Sequence, residues 1–211
     1  MCKIGIMGGT FNPIHKGHIQ IAQSAYEQYH LDEVWFMPNH IPAYKDNTEI
    51  VSGIDRYRMV EMAIETYAYF KASDFELKQD GATYTCNTLA LLKKRYPQHE
   101  FYFIMGADSL YHIESWKDPE KILEMATIVV AGRAGTGTSL SSQIEYIENK
   151  YDATIYRLNS PVLEISSNDI RRRVRDGESI RYLLPSKVVD YIYGHNLYQP
   201  DPPEEVQKEN E

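Results

Sequence analysis

IGIMGGTFNPIHKGHIQIA, residues 4–22, is the stretch from which the fold of this chain can be predicted. Its apolar start, Ile4 to Met7, is short enough for a buried strand. Gly8 and Gly9 then allow a sharp turn and a close approach of the backbone to a ligand. From His15 onward apolar residues recur at helical spacing, so a helix is predicted to begin near His15. The stretch therefore predicts a strand, a glycine turn and a helix N-terminus.

A helix N-terminus behind a glycine turn is a natural site for an anion. Its unpaired amide N–H groups and the positive end of the helix dipole both attract phosphate. His15 and His18 are three residues apart and share one face of the predicted first turn, and Gly17 puts no side chain between them. One histidine here would be read as a surface residue. Two at this spacing predict binding of a phosphate-containing ligand.

Two short runs carry a resemblance to a known superfamily. They read Gly8-Gly9-Thr10-Phe11-Asn12-Pro13 and His15-Lys16-Gly17-His18, and together they resemble the nucleotidyltransferase signature G-T-F-D-P-x-H-x-G-H. Within this superfamily, the chain up to about Gln199 resembles the bacterial nicotinate-nucleotide adenylyltransferases. Asn12 departs from the pattern, since the family usually has aspartate there; asparagine keeps the turn-forming carbonyl oxygen and loses the charge.

The resemblance implies a Rossmann-like nucleotidyltransferase fold and a reaction of NAD biosynthesis. AMP would pass from ATP to nicotinate mononucleotide, giving deamido-NAD and pyrophosphate. It implies that His15 and His18 are catalytic, and that ATP is bound by residues of the glycine turn, namely Gly8, Gly9, Thr10 and Phe11.

Length and composition indicate a globular protein with one domain. The chain has 211 residues, of which 43% are hydrophobic and 25% charged, which suits a single α/β domain over residues 1–199. The polar and acidic residues 200–211 are expected to be disordered. No apolar run approaches the ~18 residues of a membrane span, so we expect a cytoplasmic protein with no membrane partner.

Charge and cysteine content exclude further classes. A net charge of −8 argues against a nucleic-acid partner, which would need many cations. Cys2 and Cys86 lie far apart, so two free thiols are expected and no metal site. Mg²⁺ is expected only as the companion of ATP. The sequence leaves the oligomeric state open, and a homo-oligomer is one alternative.

Strands and helices alternate along the rest of the chain. Apolar runs predict strands near residues 34–37, 70–75, 101–105, 127–131 and 153–156. Helices are predicted near residues 15–29, 59–67, 84–95, 122–125 and 141–149, and from Asn168 and Pro185 onward. This alternation predicts an α/β fold with a doubly wound parallel sheet, in which ligands bind at the carboxyl ends of the strands.

A second helix start follows the run Ile165-Ser166-Ser167-Asn168-Asp169-Ile170-Arg171. Ser167 or Asn168 is a plausible N-cap, and Arg171 in the first turn could donate two hydrogen bonds to a phosphate. The run resembles the family motif I-S-S-T-x-I-R, which implies that Ser166 and Ser167 bind ATP and that Arg171 is catalytic. The alternative is a capped helix with a solvated basic face. Of Arg172, Arg173 and Arg175, only Arg175 shares the helix face of Arg171, and we expect all three to be solvated.

The remaining assignments are implied by the resemblance. Gly106 and Asp108, directly after a predicted central strand, would bind the ribose of ATP, although Asp108 could simply cap a turn. Lys45 would also bind ATP, although a single lysine is usually solvated. The nicotinate nucleotide would be bound by Tyr84, Thr85 and Trp116, whose aromatic members could otherwise be core or surface residues.

Other functions predict other patterns. A P-loop kinase is excluded because the chain has no G-x-x-x-x-G-K-[ST], and a dehydrogenase is disfavoured because there is no G-x-G-x-x-G. Adenylyltransferases of nicotinamide mononucleotide or phosphopantetheine remain closer alternatives, as does a non-catalytic nucleotide sensor. We further expect the helix N-terminus to disfavour protonation of His15 and His18 when ATP is absent.

Overall fold

Parallel strands form the central sheet of the protein, whose computed structural model describes residues 1–42, 49–132, 137–161 and 163–200. The six strands of this sheet are β1 (Lys3–Gly9), β2 (Glu33–Pro38), β4 (Phe70–Ala72), β6 (Glu100–Gly106), β7 (Thr127–Ala131) and β8 (Ile155–Leu158). Their order in space is β4-β2-β1-β6-β7-β8, and every neighbouring pair is parallel. The chain winds outward from β1 in both directions, so the predicted doubly wound α/β sheet is confirmed.

Helices cover both faces of the sheet. They are α1 (Lys16–Tyr29), α2 (Gly53–Ile64), α3 (Thr85–Arg95), α4 (Ala107–Tyr111), α5 (Pro119–Met125), α6 (Gly137–Tyr151), α7 (Ser167–Arg175) and α8 (Ser186–Gly194). A 3-10 turn spans Ile113–Ser115. Helices α1, α2, α7 and α8 pack into one core cluster, and α3 to α6 pack into the other.

Strand β6 is apolar over residues 101–105 because both of its faces are buried. Tyr102 and Ile104 point into the core beside α1, whereas Phe101, Phe103 and Met105 point into the core beside α3. A strand that is buried on both faces needs an apolar residue at every position. The predicted central parallel strand at residues 101–105 is therefore confirmed.

Some element boundaries differ from the predicted ones. The strand predicted at residues 70–75 ends at Ala72. Two further strands, β3 (Ile41–Pro42) and β5 (Ala82–Thr83), pair with each other outside the main sheet and were not predicted. Helix α6 begins at Gly137, before the predicted start at Ser141. Strands this short carry too few residues for a period to be recognised.

The two cysteines are free, as expected, and Cys86 is buried. Among the described ranges, no helix is both long and apolar enough to cross a membrane. Residues 201–211 of the predicted tail lie outside the described residues.

Candidate active site

A cavity of about 860 Å³ opens at the carboxyl ends of β1 and β6. These neighbouring strands are followed by crossovers that leave in opposite directions, which is the point where doubly wound sheets bind ligands. The volume lies in the range of ligand-binding cavities. Many of the residues singled out from the sequence line it: Gly8, Gly9, Thr10, Phe11, His15, His18, Gly106, Trp116, Ser166, Ser167 and Arg171.

The rings of His15 and His18 are stacked at the N-terminus of α1, as their spacing predicted. Their centroids are 3.7 Å apart and their planes differ by 26°. The backbone N–H of His15 donates to Nδ1 of His18 over 3.2 Å. Because a backbone N–H can only donate, Nδ1 of His18 is the acceptor, and the proton of the neutral ring is on Nε2. The pair presents two imidazoles to one side of the cavity.

Burial keeps His15 neutral. The residue is 6% exposed, and desolvation lowers its pKa from 6.5 to about 4. Within the described part of the chain, its Nδ1 atom has no hydrogen-bond partner. Protonation is thus disfavoured at His15, as expected, but the cause is burial rather than the helix N-terminus.

Gly17 is required for the position of the His15 ring. A Cβ atom built on Gly17 would lie 3.0 Å from Nδ1 and 3.1 Å from Cε1 of His15. These distances are shorter than ordinary van der Waals contacts, so any larger residue would displace the ring. The glycine between the histidines therefore leaves space for His15 as well as for a ligand.

Phe11 anchors the turn that precedes the histidines. Its side chain is 2% exposed, and its backbone is in the left-handed region with φ of +49°. A bulky residue adopts this conformation only when its surroundings impose it. The ring packs edge-on against His18, with centroids 5.1 Å apart. Phe11 thus contributes packing to the site, whereas its predicted role is ATP binding.

Helix α7 brings its first turn to the same cavity. The N-cap is Ser166, whose Oγ accepts a hydrogen bond from the backbone N–H of Asp169 over 3.1 Å. The predicted cap at Ser167 or Asn168 was therefore wrong. Ser167 instead donates through Oγ to the carbonyl of Pro13 over 2.8 Å, and this bond ties α7 to the loop after β1.

Arg171 is held in place from two sides. Its Nη1 donates to the carbonyl of Asn12 over 3.0 Å, and its Nη2 lies 3.2 Å from Oε2 of Glu49 and 3.2 Å from Oδ1 of Asn168. The side chain is 14% exposed. Arg175, on the same helical face, pairs with the other oxygen of Glu49 over 3.1 Å. The guanidinium of Arg171 is thus the cationic group of α7 that lines the cavity.

The neighbouring arginines serve the helix rather than the cavity. Arg172 pairs with Asp169, Asp176 and Glu178. Arg173 pairs with Asp169 and Glu178. Both therefore lie in surface ion pairs on a different face from Arg171, as the helical period predicted.

Arg56 supports the site and was not recognised from the sequence. It is 1% exposed and donates to four backbone carbonyls, those of Thr10, Asn39, His40 and Val51. The sequence does contain a signal that Arg56 is buried. Arg56 lies three and four residues before Met59 and Val60, on the core-facing stripe of α2. A cation at such a position predicts a buried structural role.

The structure brings together only part of the predicted nicotinate-binding set. Trp116 lines the cavity and packs edge-on against Phe103, with centroids 6.3 Å apart. Tyr84 is the N-cap of α3, below the ammonium of Lys117, and Thr85 is the first residue of that helix. Neither of these two residues is among the described residues that line the cavity.

Two predicted ATP-binding residues also differ in their placement. Gly106 lines the cavity at the end of β6. Asp108 is not among the described residues that line the cavity, although its neighbour Ser109 is. Asp108 lies in the first turn of the short helix α4. Lys45 falls outside the described residues.

Known proteins are similar to this chain in sequence and in fold. Residues 6–173 match the family model described as Cytidylyltransferase-like. A Lachnoclostridium phytofermentans protein named "Probable nicotinate-nucleotide adenylyltransferase" is 47% identical over 199 residues, covering 94% of this chain and 100% of that protein. A Bacillus cytotoxicus protein of the same name is 40% identical, with the same coverage. The Plasmodium falciparum nicotinic acid mononucleotide adenylyltransferase complexed with NaAD shares the fold, with a TM-score of 0.78 and 23% identity over 94% of this chain and 98% of that chain.

Proposed function

The chain belongs to the cytidylyltransferase-like family, and we propose that it is the adenylyltransferase that transfers AMP from ATP to nicotinate mononucleotide. The observation that carries the proposal is the stacked pair His15 and His18, which lines the same cavity as the first turn of α7. The curated relatives at 40–47% identity carry the name of this activity.

The cavity is suited to holding two phosphate-bearing substrates. The turn from Gly8 to Phe11 and the N-terminus of α1 offer backbone N–H groups and a positive dipole end. Ser166, Ser167 and Arg171, at the N-terminal end of α7, line the same cavity. Two helix N-termini in one cavity favour a triphosphate that contacts both of them.

The reaction requires no covalent intermediate with the enzyme. A phosphate oxygen of nicotinate mononucleotide attacks the α-phosphorus of ATP, the bond from that phosphorus to the bridging oxygen breaks, and pyrophosphate leaves. Both substrates are anions, so the protein must hold them together and stabilise the negative charge that develops during transfer. Residues that donate hydrogen bonds to the phosphates fulfil both needs.

The positions of individual residues support the following proposed roles. His15 and His18 contact the α- and β-phosphates, with His18 able to donate from Nε2. Arg171 binds the leaving pyrophosphate, and Ser167 contributes through its backbone N–H, because its hydroxyl already donates to Pro13. Gly106 lies where the ribose of ATP would pass the end of β6, and Trp116 is placed to pack against the pyridine ring.

Mg²⁺ would arrive with ATP. Among the described residues, no group of three or more histidine, cysteine, aspartate or glutamate side chains could hold a metal ion. The triphosphate itself supplies oxygen ligands of the kind that Mg²⁺ prefers. We therefore propose that Mg²⁺ enters as part of the MgATP substrate.

A panel of acceptors tests the proposed reaction. The protein is mixed with MgATP and with nicotinate mononucleotide, nicotinamide mononucleotide or phosphopantetheine in separate reactions, and pyrophosphate release is followed. We expect rapid release only with nicotinate mononucleotide. Faster release with another acceptor would overturn the choice of substrate. Binding of ATP without release in any reaction would favour the nucleotide sensor.

A further inference from the structure

The side chain of Asn12 is buried in the wall of the cavity, where it makes three hydrogen bonds. It is 4% exposed. Its Nδ2 donates to the carbonyl of Glu49 over 2.9 Å, and its Oδ1 accepts from the backbone N–H of Val51 over 3.2 Å and from the hydroxyl of Tyr198 over 3.0 Å. The carbonyl can only accept and the backbone N–H can only donate. These partners therefore fix the orientation of the amide.

Asn12 takes part in two of the contacts that hold Arg171. The backbone carbonyl of Asn12 accepts from Nη1 of Arg171 over 3.0 Å. Glu49, whose backbone is held by the Asn12 side chain, offers its carboxylate to Nη2 of Arg171 over 3.2 Å. Asn12, Glu49 and Arg171 therefore form a closed ring of hydrogen bonds beside the cavity.

Tyr198 connects this ring to the far end of the chain. Its hydroxyl comes from the segment after α8, 186 residues away from Asn12 in sequence. Burial raises the pKa of this hydroxyl, so it remains a protonated donor at neutral pH. The preceding residue, Leu197, packs against the core on the same side of the sheet. The C-terminal segment thus supplies one of the three hydrogen bonds of the Asn12 side chain.

We propose that Asn12 is a positioning residue that sets the guanidinium of Arg171 for the phosphates of ATP, and that Tyr198 supports it. The inference rests on the proposed function, in which Arg171 binds the leaving pyrophosphate. Asn12 itself need not touch ATP. Its effect passes through its own carbonyl and through Glu49, which together bind both Nη atoms of Arg171.

In this chain the hydrogen bonds of residue 12 suit an amide better than a carboxylate. Aspartate, which the family usually has here, offers two acceptor oxygens. One of these would face the carbonyl of Glu49 across the 2.9 Å now occupied by a hydrogen bond. Two acceptors at that distance repel each other, so the contact to Glu49 would be lost. The carboxylate of Glu49, which is one of the groups that bind Arg171, would then lose its fixed position.

A double-mutant cycle tests the proposal. Calorimetry measures binding of Mg²⁺ and an ATP analogue with a methylene group between the α- and β-phosphorus, using wild type, Asn12→Asp, Arg171→Ala and the double variant. We expect Asn12→Asp alone to weaken binding about tenfold, and to weaken it by less than about twofold when Arg171 is already alanine. Equal effects in both backgrounds would overturn the proposal, because a charge or folding effect that does not pass through Arg171 would be additive.

A matched control isolates the charge change. Asn149→Asp introduces the same substitution on the exposed surface of α6, and we expect unchanged binding. Weakening in this control equal to that in Asn12→Asp would mean that net charge alone explains the effect.

A milder variant covers the case in which Asn12→Asp fails to fold. Tyr198→Phe removes one hydroxyl, and we expect about threefold weaker analogue binding, again only while Arg171 is present. Tyr193→Phe, at a half-exposed tyrosine of α8, is its control. Wild-type binding in Tyr198→Phe would contradict the role of Tyr198.

The binding measurement does not involve the acceptor, so the two proposals can fail separately. A wild-type protein that binds the analogue but uses another acceptor would leave the positioning of Arg171 intact. A wild-type protein that binds no analogue would overturn both proposals.

Discussion

The ring centroids of His15 and His18 are stacked 3.7 Å apart, and burial lowers the pKa of His15 to about 4. Two cationic rings this close would repel each other, so the buried ring is neutral at physiological pH. The pair therefore contributes hydrogen-bond donors and a fixed shape in the empty protein. Bound triphosphate would be the group that favours an added proton.

Removal of either ring should slow the reaction far more than it weakens binding. We expect His15→Ala and His18→Ala each to lower kcat about 10²- to 10³-fold, because each loses a donor to the transferring phosphates. Steady-state kinetics with MgATP and nicotinate mononucleotide measure this. The control is His112→Ala, an exposed histidine outside the cavity lining. Full turnover in both variants would remove the proposed catalytic pair.

His15 should make folding sensitive to acid. Its pKa is about 4 in the folded protein and near 6.5 when unfolded, so between these values the unfolded chain binds the extra proton. The free energy of unfolding should therefore fall as pH drops from about 6.5 to about 4, with about 3 kcal/mol due to this residue. Urea unfolding at several pH values should show that His15→Gln loses this share of the pH dependence. His112→Gln should retain it; identical pH profiles for His15→Gln and wild type would contradict the account.

A methyl group at Gly17 should reduce activity by moving a ring. The added Cβ would lie about 3.0 Å from the His15 ring, so that ring must shift by a few tenths of an ångström. We expect Gly17→Ala to lower kcat about tenfold, since small misplacements of catalytic groups are costly. Gly194→Ala is the matched control, because nothing lies within 4 Å of its notional Cβ. Equal kcat values for the two variants would show that the ring has room to move.

Arg56 should be essential for stability. Lysine keeps the charge but cannot reach the four carbonyls that the guanidinium bridges. We expect Arg56→Lys to lower the free energy of unfolding by about 3–5 kcal/mol, as in other buried charges that lose partners. Arg58→Lys, on the same helix but exposed and paired with Glu61, should change it by less than about 0.5 kcal/mol. Chemical denaturation of both variants measures the difference.

The sequence predicted the sheet and the first loop because those features depend on local patterns. The apolar runs of β1 and β6 and the spacing of His15 and His18 are visible in a short window. The capping residue of α7 was harder to predict. Serine and asparagine at 166–168 all cap helices well, and only the fold shows that Ser167 is used to bind Pro13 instead.

Contacts between distant segments could not be predicted in this way. Asn12 contacts Glu49, Arg171 and Tyr198 only after the chain has folded. These residues are far apart in sequence, so the spacing of apolar residues within a helix or strand does not indicate that they are close. The same holds for Tyr84 and Thr85, which the fold places at the start of α3 and outside the described lining of the cavity. Side chains from distant segments depend on tertiary packing, which a single sequence does not state.

The most direct test follows the α-phosphate of ATP. ATP labelled at that phosphorus is incubated with Mg²⁺, nicotinate mononucleotide and either wild-type protein or His18→Ala. The account predicts that wild type moves the label into the dinucleotide and releases unlabelled pyrophosphate, while His18→Ala does so about 10²- to 10³-fold more slowly. Label that remains in ATP or appears as free AMP or ADP, or equal rates for the two proteins, would contradict it.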